Sequence, residues 1–154
     1  MSPRLPEPAE QSPFDLTRLV GIVVLAPTSL HAAVIAVGLC GFGVRDWRTR
    51  TVPAARFDAW CLVVLALRTT PLYWPSAGFW CLTLGLLAGV THGLGSADWL
   101  AITVIAALHP LDWSLWWVLL ACGSAGIHHF VRRPQTLPLL AHLAIAYGLM
   151  RWWG

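Results

Sequence analysis

The chain has 154 residues, of which 57% are hydrophobic and 11% charged, with a mean hydropathy of +0.66. That balance lies far outside soluble composition and predicts an integral membrane protein. A formal charge of +3, scattered along the chain, gives no basis for nucleic-acid binding.

The first fifteen residues, MSPRLPEPAEQSPFD, contain four prolines and three acids, and residues 1–17 are expected to be a disordered tail. Arg18, the run LVGIVVLAP and LHAA imitate a signal peptide in order. Cleavage there would leave too little apolar chain before Arg45 to cross a bilayer, so the segment is expected to stay. Residues 18–154 are expected to form a single all-α, polytopic membrane domain of about six transmembrane helices. The first span lies within Leu19–Val44, with Pro27 separating an interfacial start from the span proper. The second is Ala54–Thr69, the third about Ala77–Thr91, and the fourth about Asp98–Leu108, stopped by HPLD. The fifth is Trp113–Phe130 and the sixth Leu137–Trp153, separated by VRRPQT.

Arginine placement in short loops orients the spans. Arg45, Arg48, Arg50 and Arg56 follow the first span, and Arg132 and Arg133 separate the fifth from the sixth. With six spans these loops share a side, the cytoplasm, and both termini then lie outside. Trp47, Trp74, Trp99, Trp113, Trp152 and Trp153 sit near helix ends, as interfacial anchors do.

Outside the tail the acids are Asp46, Asp58, Asp98 and Asp112. Asp46 ends the first span and Asp98 begins the fourth, so two intervening crossings return the chain to the same face. Parity sends Asp112 to the other. Two aspartates at the ends of membrane helices suggest a proton-sharing dyad, because adjacent like charges cannot both ionise easily. The ionised member can activate a water while the protonated member hydrogen-bonds a scissile carbonyl. Gly93 and Gly95 precede Asp98, where they allow a sharp turn and close backbone approach, or merely loosen a helix junction. Asp98 also suits a helix N-cap, a role compatible with catalysis. Asp58 reads as a solvated or arginine-paired residue. Arg48 and Arg50 carry the orientation signal whatever else they do, and could also order the loop or hold acidic lipid headgroups.

Two segments resemble one family. DWRTRTVP, Asp46 to Pro53, is similar to the D-x-R-x-R-x-I/V-P segment of type IV prepilin peptidases. GSAD, Gly95 to Asp98, resembles the G-x-G-D motif of the same intramembrane aspartic proteases, with Ala97 in place of the second glycine and Leu100 where many members carry lysine. The motif order, the two intervening spans and the final RRPQTLPLLAHLAIAYGL segment agree, and the small size is most like Flp/Tad-type or archaeal preflagellin-type members. The resemblance implies an endopeptidase that removes the short basic cytoplasmic leader of a prepilin-like precursor ahead of its hydrophobic helix, with Asp46 and Asp98 as catalytic dyad and Arg48, Arg50, Gly93 and Gly95 supporting the loops. It implies no cofactor. Larger members also methylate, using a zinc domain with paired C-x-x-C motifs; this sequence has no such pair, so methylation is not expected.

The degenerate glycine motif keeps a second reading open, a catalytically inactive relative serving as scaffold or assembly partner of a pilus or secretion system. A third, a small transporter with a proton or cation path through the aspartates, is weakened because both acids sit at one face. Cys40, Cys61, Cys81 and Cys122 lie singly in apolar runs and read as small buried hydrophobes. The six histidines are scattered without metal-ligand spacing, so no metal site is expected. His92 alone lies in the approach to Asp98.

Overall fold

The computed structural model describes residues 30–91, 94–132 and 137–153. All regular structure among these residues is helical: α1 (Leu30–Thr49), α2 (Ala54–Ala66), α3 (Trp74–Thr91), α4 (Ser96–Ala106), α5 (Leu111–Arg132) and α6 (Leu139–Trp153). The N-terminal tail, Pro27, His92, Gly93 and Arg133 lie outside the described residues. The six helices follow the expected apolar runs, with one useful difference. α1 does not stop at Val44; it continues through Arg45, Asp46, Trp47 and Arg48, so these side chains belong to a helix end instead of a loop.

Proline sets where the helices begin. Pro53 occupies the N-cap of α2 with φ −71°, and its carbonyl accepts from the amides of Arg56 and Phe57. Pro110 and Pro138 do the same before α5 and α6, accepting from Ser114 and from Ala141 and His142. A proline there gives up an N–H that would have no helical partner and fixes φ near the helical value.

Small residues let the helices approach. α1 buries Ala32, Ile35, Ala36, Leu39, Cys40 and Gly43, a stripe at helical spacing, against Leu140, Ala141, Leu143, Ala144 and Tyr147 of α6. Gly38 leaves room for the indole of Trp60 on α2, whose Nε1 donates to the Val34 carbonyl at 3.0 Å. α4 is the central helix, packed on α2, α3, α5 and α6 and burying Ala101, Ile102, Val104, Ile105 and Ala106. By contrast, α1 and α4 have no Cα pair within 8 Å, and neither do α1 and α5, nor the consecutive helices α2 and α3.

Two helices, α1 and α5, are long and apolar enough to cross a membrane; α3 and α4 are apolar but shorter. Large apolar side chains face outward, including Leu82 and Leu86 on α3, one turn apart and more than two-thirds exposed. On α5, Trp116, Leu119, Ile127 and Phe130 do the same, and Cys122 is exposed beside them although its sequence context suggested burial.

Candidate active site

Asp46 lies in the last turn of α1 because the helix runs on to Thr49 before it is closed. The Thr49 hydroxyl donates to the Arg45 carbonyl at 3.0 Å, and the Arg50 amide donates to the Asp46 carbonyl at 3.0 Å. Arg50 then turns the chain with φ +55°, the left-handed conformation that commonly ends a helix, here adopted by a residue other than glycine. The guanidinium of Arg50 thereby stays within electrostatic reach of the Asp46 carboxylate. Arg48, on the same turn, is exposed.

Asp98 arrives from the opposite direction, in the first turn of α4. The N-cap is Gly95, so Asp98 occupies the third helical position and caps nothing: no side-chain cap hydrogen bond is present. Its carboxylate still faces the positive end of the helix dipole. Gly95 also differs from expectation. Its backbone is extended, with φ −68° and ψ 142°, a conformation open to any residue, so no special turn is required of it. What it provides is space, because a Cβ on Gly95 would stand 3.1 Å from Asp98 Oδ2.

The two aspartates meet at a third element. The backbone N–H of Leu140, in the first turn of α6, lies within electrostatic reach of both the Asp46 and the Asp98 carboxylates, and the Asp46 carboxylate lies within Coulombic reach of Asp98. That amide is available for a physical reason. The first four N–H groups of a helix have no intrahelical acceptor. Around α6, the amides of Ala141 and His142 reach Pro138 O and that of Leu139 reaches Leu137 O, which leaves Leu140 for the acids. Leu140 and Pro138 are fully buried, so without those carboxylates the N–H would be orphaned away from water.

Gly43 brings α6 to this position. It lies one turn before Asp46 on the same face of α1, and a Cβ there would stand 3.0 Å from Ala141 Cα and 3.2 Å from the Leu140 carbonyl. Gly43, Pro138 and Leu140 were not among the expected site residues. Their signals were present in the sequence: a glycine three positions before the acid, and a proline two positions before a leucine whose amide must then find a partner.

The remaining acids stay apart. Asp58 is exposed on α2 near Cys61, and Asp112 is exposed at the start of α5, at the far end of α4 from Asp98. The histidines are less scattered than their positions suggest. His128 Nδ1 and His142 Nε2 are 3.2 Å apart, and the Trp47 ring stacks on His128 with centroids 4.7 Å apart and planes 15° from parallel. Trp47 is therefore a packed residue of α1, as Trp113 is on His109, while Trp74, Trp152 and Trp153 are exposed as anchors would be. No group of three or more His, Cys, Asp or Glu able to hold a metal ion occurs among the described residues.

The described residues form an all-helical bundle in which two carboxylates from different helix ends converge on one buried amide. Comparison with protein-family models, with curated proteins and with solved structures finds no match for the chain.

Proposed function

We propose that this chain is a multi-pass membrane aspartic endopeptidase whose dyad is Asp46 and Asp98. The observation that carries the reading is their convergence on the Leu140 N–H from helices that share no close backbone contact. Asp46 has the Arg50 guanidinium within electrostatic reach, and it also has a second acid, Asp98, as a charged neighbour. Two neighbouring carboxylates share a proton, which is the state an aspartic peptidase needs. The ionised carboxylate takes a proton from a water, whose oxygen attacks the scissile carbonyl carbon. The protonated carboxyl donates a hydrogen bond to the carbonyl oxygen. Collapse of the tetrahedral adduct breaks the C–N bond as a proton passes to the leaving nitrogen. Asp46 and Asp98 act as one titrating unit, so neither is assigned the resting proton. The separation of α1 from α4 supports the reading further, since a substrate backbone can enter between them beside the acids.

In this reading all six helices cross the membrane, with Arg45, Arg48, Arg50, Arg56, Arg132 and Arg133 on the cytoplasmic side and both termini outside. The outward Leu82, Leu86, Leu119 and Phe130 then contact lipid. α4, with 11 residues, is only about 16 Å long, much less than the hydrocarbon thickness. A helix this short leaves at least one end below the surface; with Asp98 at the recessed end, the site lies where irregular backbone is tolerated only around water or protein, and a hydrolase needs that water. The substrate is a prepilin-like precursor, with a basic leader on the cytoplasmic side and an apolar helix in the bilayer.

One observation favours a second reading. Ala97 stands where the related motif has glycine, which suits a scaffold that keeps the architecture and has lost the reaction. Leader release decides between them. Purified protein in liposomes is mixed with a precursor carrying a basic leader and an apolar helix, and compared with Asp46→Asn and Asp98→Asn. Cleavage by wild type and its loss in both variants supports the peptidase. A folded wild type that cleaves no such precursor supports the scaffold, and an Asn variant that retains the wild-type rate removes the dyad.

A further inference from the structure

The end of the bundle that carries Asp46 holds a second side-chain cluster, which the proposed chemistry does not use. His142 on α6 is one of three buried polar residues among the described residues, with Ser76 and Ser114. Both its ring nitrogens are engaged: Nδ1 lies 2.9 Å from Ser124 Oγ and Nε2 lies 3.2 Å from His128 Nδ1. Ser124 and His128 are one turn apart on α5, so a single face of that helix grips the imidazole from two sides. Trp47, the residue after Asp46, stacks on His128 and lies tilted against His142 at 6.1 Å.

We propose that the His128–His142 pair, covered by the Trp47 ring, is the positioning device that fixes the last turn of α1 and so aims the Asp46 carboxylate; the inference rests on the dyad reading above. Three observations carry it. First, α1 and α5 have no Cα pair within 8 Å, so the stacked Trp47–His128 contact bridges two helices whose backbones do not meet. Second, burying an imidazole where an aliphatic side chain would fit is unfavourable unless both nitrogens are satisfied, and here both are. Third, α1 is pinned to α6 at Gly43, one turn before Asp46, and the turn carrying Asp46 has a second point of attachment, the Trp47 ring against His128 and His142. Trp47 provides a rigid side chain for that attachment.

The cluster does not suit a metal ion. Arg50, just past the end of α1, and Arg132 from α5 lie within electrostatic reach of His128, and Arg50 also of His142; these cations repel a dication. The same surroundings suit an uncharged pair in which one facing nitrogen carries the hydrogen and the other the lone pair.

Two measurements test the proposal, one with catalysis and one without. Leader release from the synthetic precursor is followed for wild type, His142→Leu, His128→Leu, His142→Gln and Ser76→Ala. The last removes a buried hydroxyl that bonds Ser114 at the opposite end of the bundle. A small displacement of a reacting group lowers turnover without weakening substrate binding. Both leucine variants are expected to lose about tenfold in kcat at unchanged KM. His142→Gln, which keeps a polar partner for His128, recovers most of the loss, and Ser76→Ala keeps the wild-type kcat. Wild-type kcat in both leucine variants, or a glutamine variant no better than leucine, overturns the proposal.

The second measurement replaces the native cysteines by alanine, introduces Asp46→Cys and Asp98→Cys, and joins them with a short bifunctional thiol reagent, because their backbones are too far apart for a direct disulfide. Adding His142→Leu or His128→Leu is expected to reduce the cross-linked fraction at least about twofold, in line with a loosened helix end. An unchanged fraction overturns the positioning role. If wild type cleaves no precursor while cross-linking still depends on the histidines, the peptidase reading fails and the positioning of residue 46 stands.

Discussion

Gly43 and Ala141 are in contact at the backbone: a Cβ on Gly43 would lie 3.0 Å from Ala141 Cα, and the Leu140 carbonyl would be 3.2 Å away. The amide shared by Asp46 and Asp98 belongs to Leu140, so this close crossing sets the distance between α1 and the centre of the candidate site. Gly43→Ala forces a shift of a few tenths of an ångström in the backbone of α6, and Gly43→Leu a larger separation. Overpacking of this kind destabilises by roughly 1–3 kcal/mol. Leader release is expected to fall in the order glycine, alanine, leucine, and to fall further than thermal stability does. Equal losses in rate and stability at Gly43→Ala would show that the crossing matters to the fold alone.

Gly95 offers the complementary test, because its backbone conformation is open to alanine while the space beside it is occupied. A Cβ would stand 3.1 Å from Asp98 Oδ2. Gly95→Ala is expected to leave stability within about 0.5 kcal/mol of wild type. It turns the Asp98 carboxylate away from Asp46 and lowers leader release at least about tenfold. Gly95→Ala with wild-type turnover would remove Gly95 from the site.

Arg50 combines a left-handed backbone with a charge beside Asp46, and substitutions can separate the two. At φ +55° a side chain is disfavoured relative to glycine by roughly 1 kcal/mol. Arg50→Gly relieves that strain and loses the charge, whereas Arg50→Ala loses the charge and keeps the strain. The glycine variant is expected to be more stable than the alanine variant by about 1 kcal/mol in denaturant or thermal unfolding. Both should show the same altered pH dependence of leader release, because both remove the guanidinium that faces Asp46. Identical stabilities would mean that the turn relaxes when the arginine is removed.

Much of this architecture was legible in the sequence because apolar runs and prolines act locally. Pro53, Pro110 and Pro138 mark helix starts by their own chemistry, and the positions of α2 to α6 follow within a few residues. The end of α1 was less legible: arginines looked like a loop, yet helical hydrogen bonding continues to Thr49, and the αL residue that stops it is Arg50 and not a glycine. Asp46 and Asp98 stood out because acids are scarce. Leu140 did not, because its contribution is a backbone N–H, which carries no residue-specific signal, and because Gly43 places it through a contact nearly a hundred positions away. His128 and His142 were hidden for the same reason. Each looks isolated along the chain, and only the packing of α5 on α6 makes them neighbours.

The loop between α4 and α5 gives a pH prediction independent of the candidate site. His109 stacks on Trp113 with centroids 3.8 Å apart and planes 20° from parallel, and its Nε2 is buried without a hydrogen-bond partner among the described residues. Burial, with a smaller contribution from the charge of Arg151, holds the imidazole pKa down to about 4, against an ordinary value of 6.5. The folded chain therefore keeps His109 neutral where the unfolded chain protonates it. Above about pH 6.5 both states are neutral and His109 adds no pH dependence. As the pH falls from there toward 4, the unfolded state binds the proton first and stability is lost; below 4 the loss levels off. A shift of this size corresponds to roughly 3 kcal/mol across the window. Thermal unfolding in detergent between pH 7 and pH 4 should show that decline in wild type, and His109→Phe, which preserves the stack on Trp113 and cannot titrate, should flatten it. An equally steep decline in His109→Phe would assign the acid sensitivity to other groups and leave His109 a packing residue whose proton does not matter.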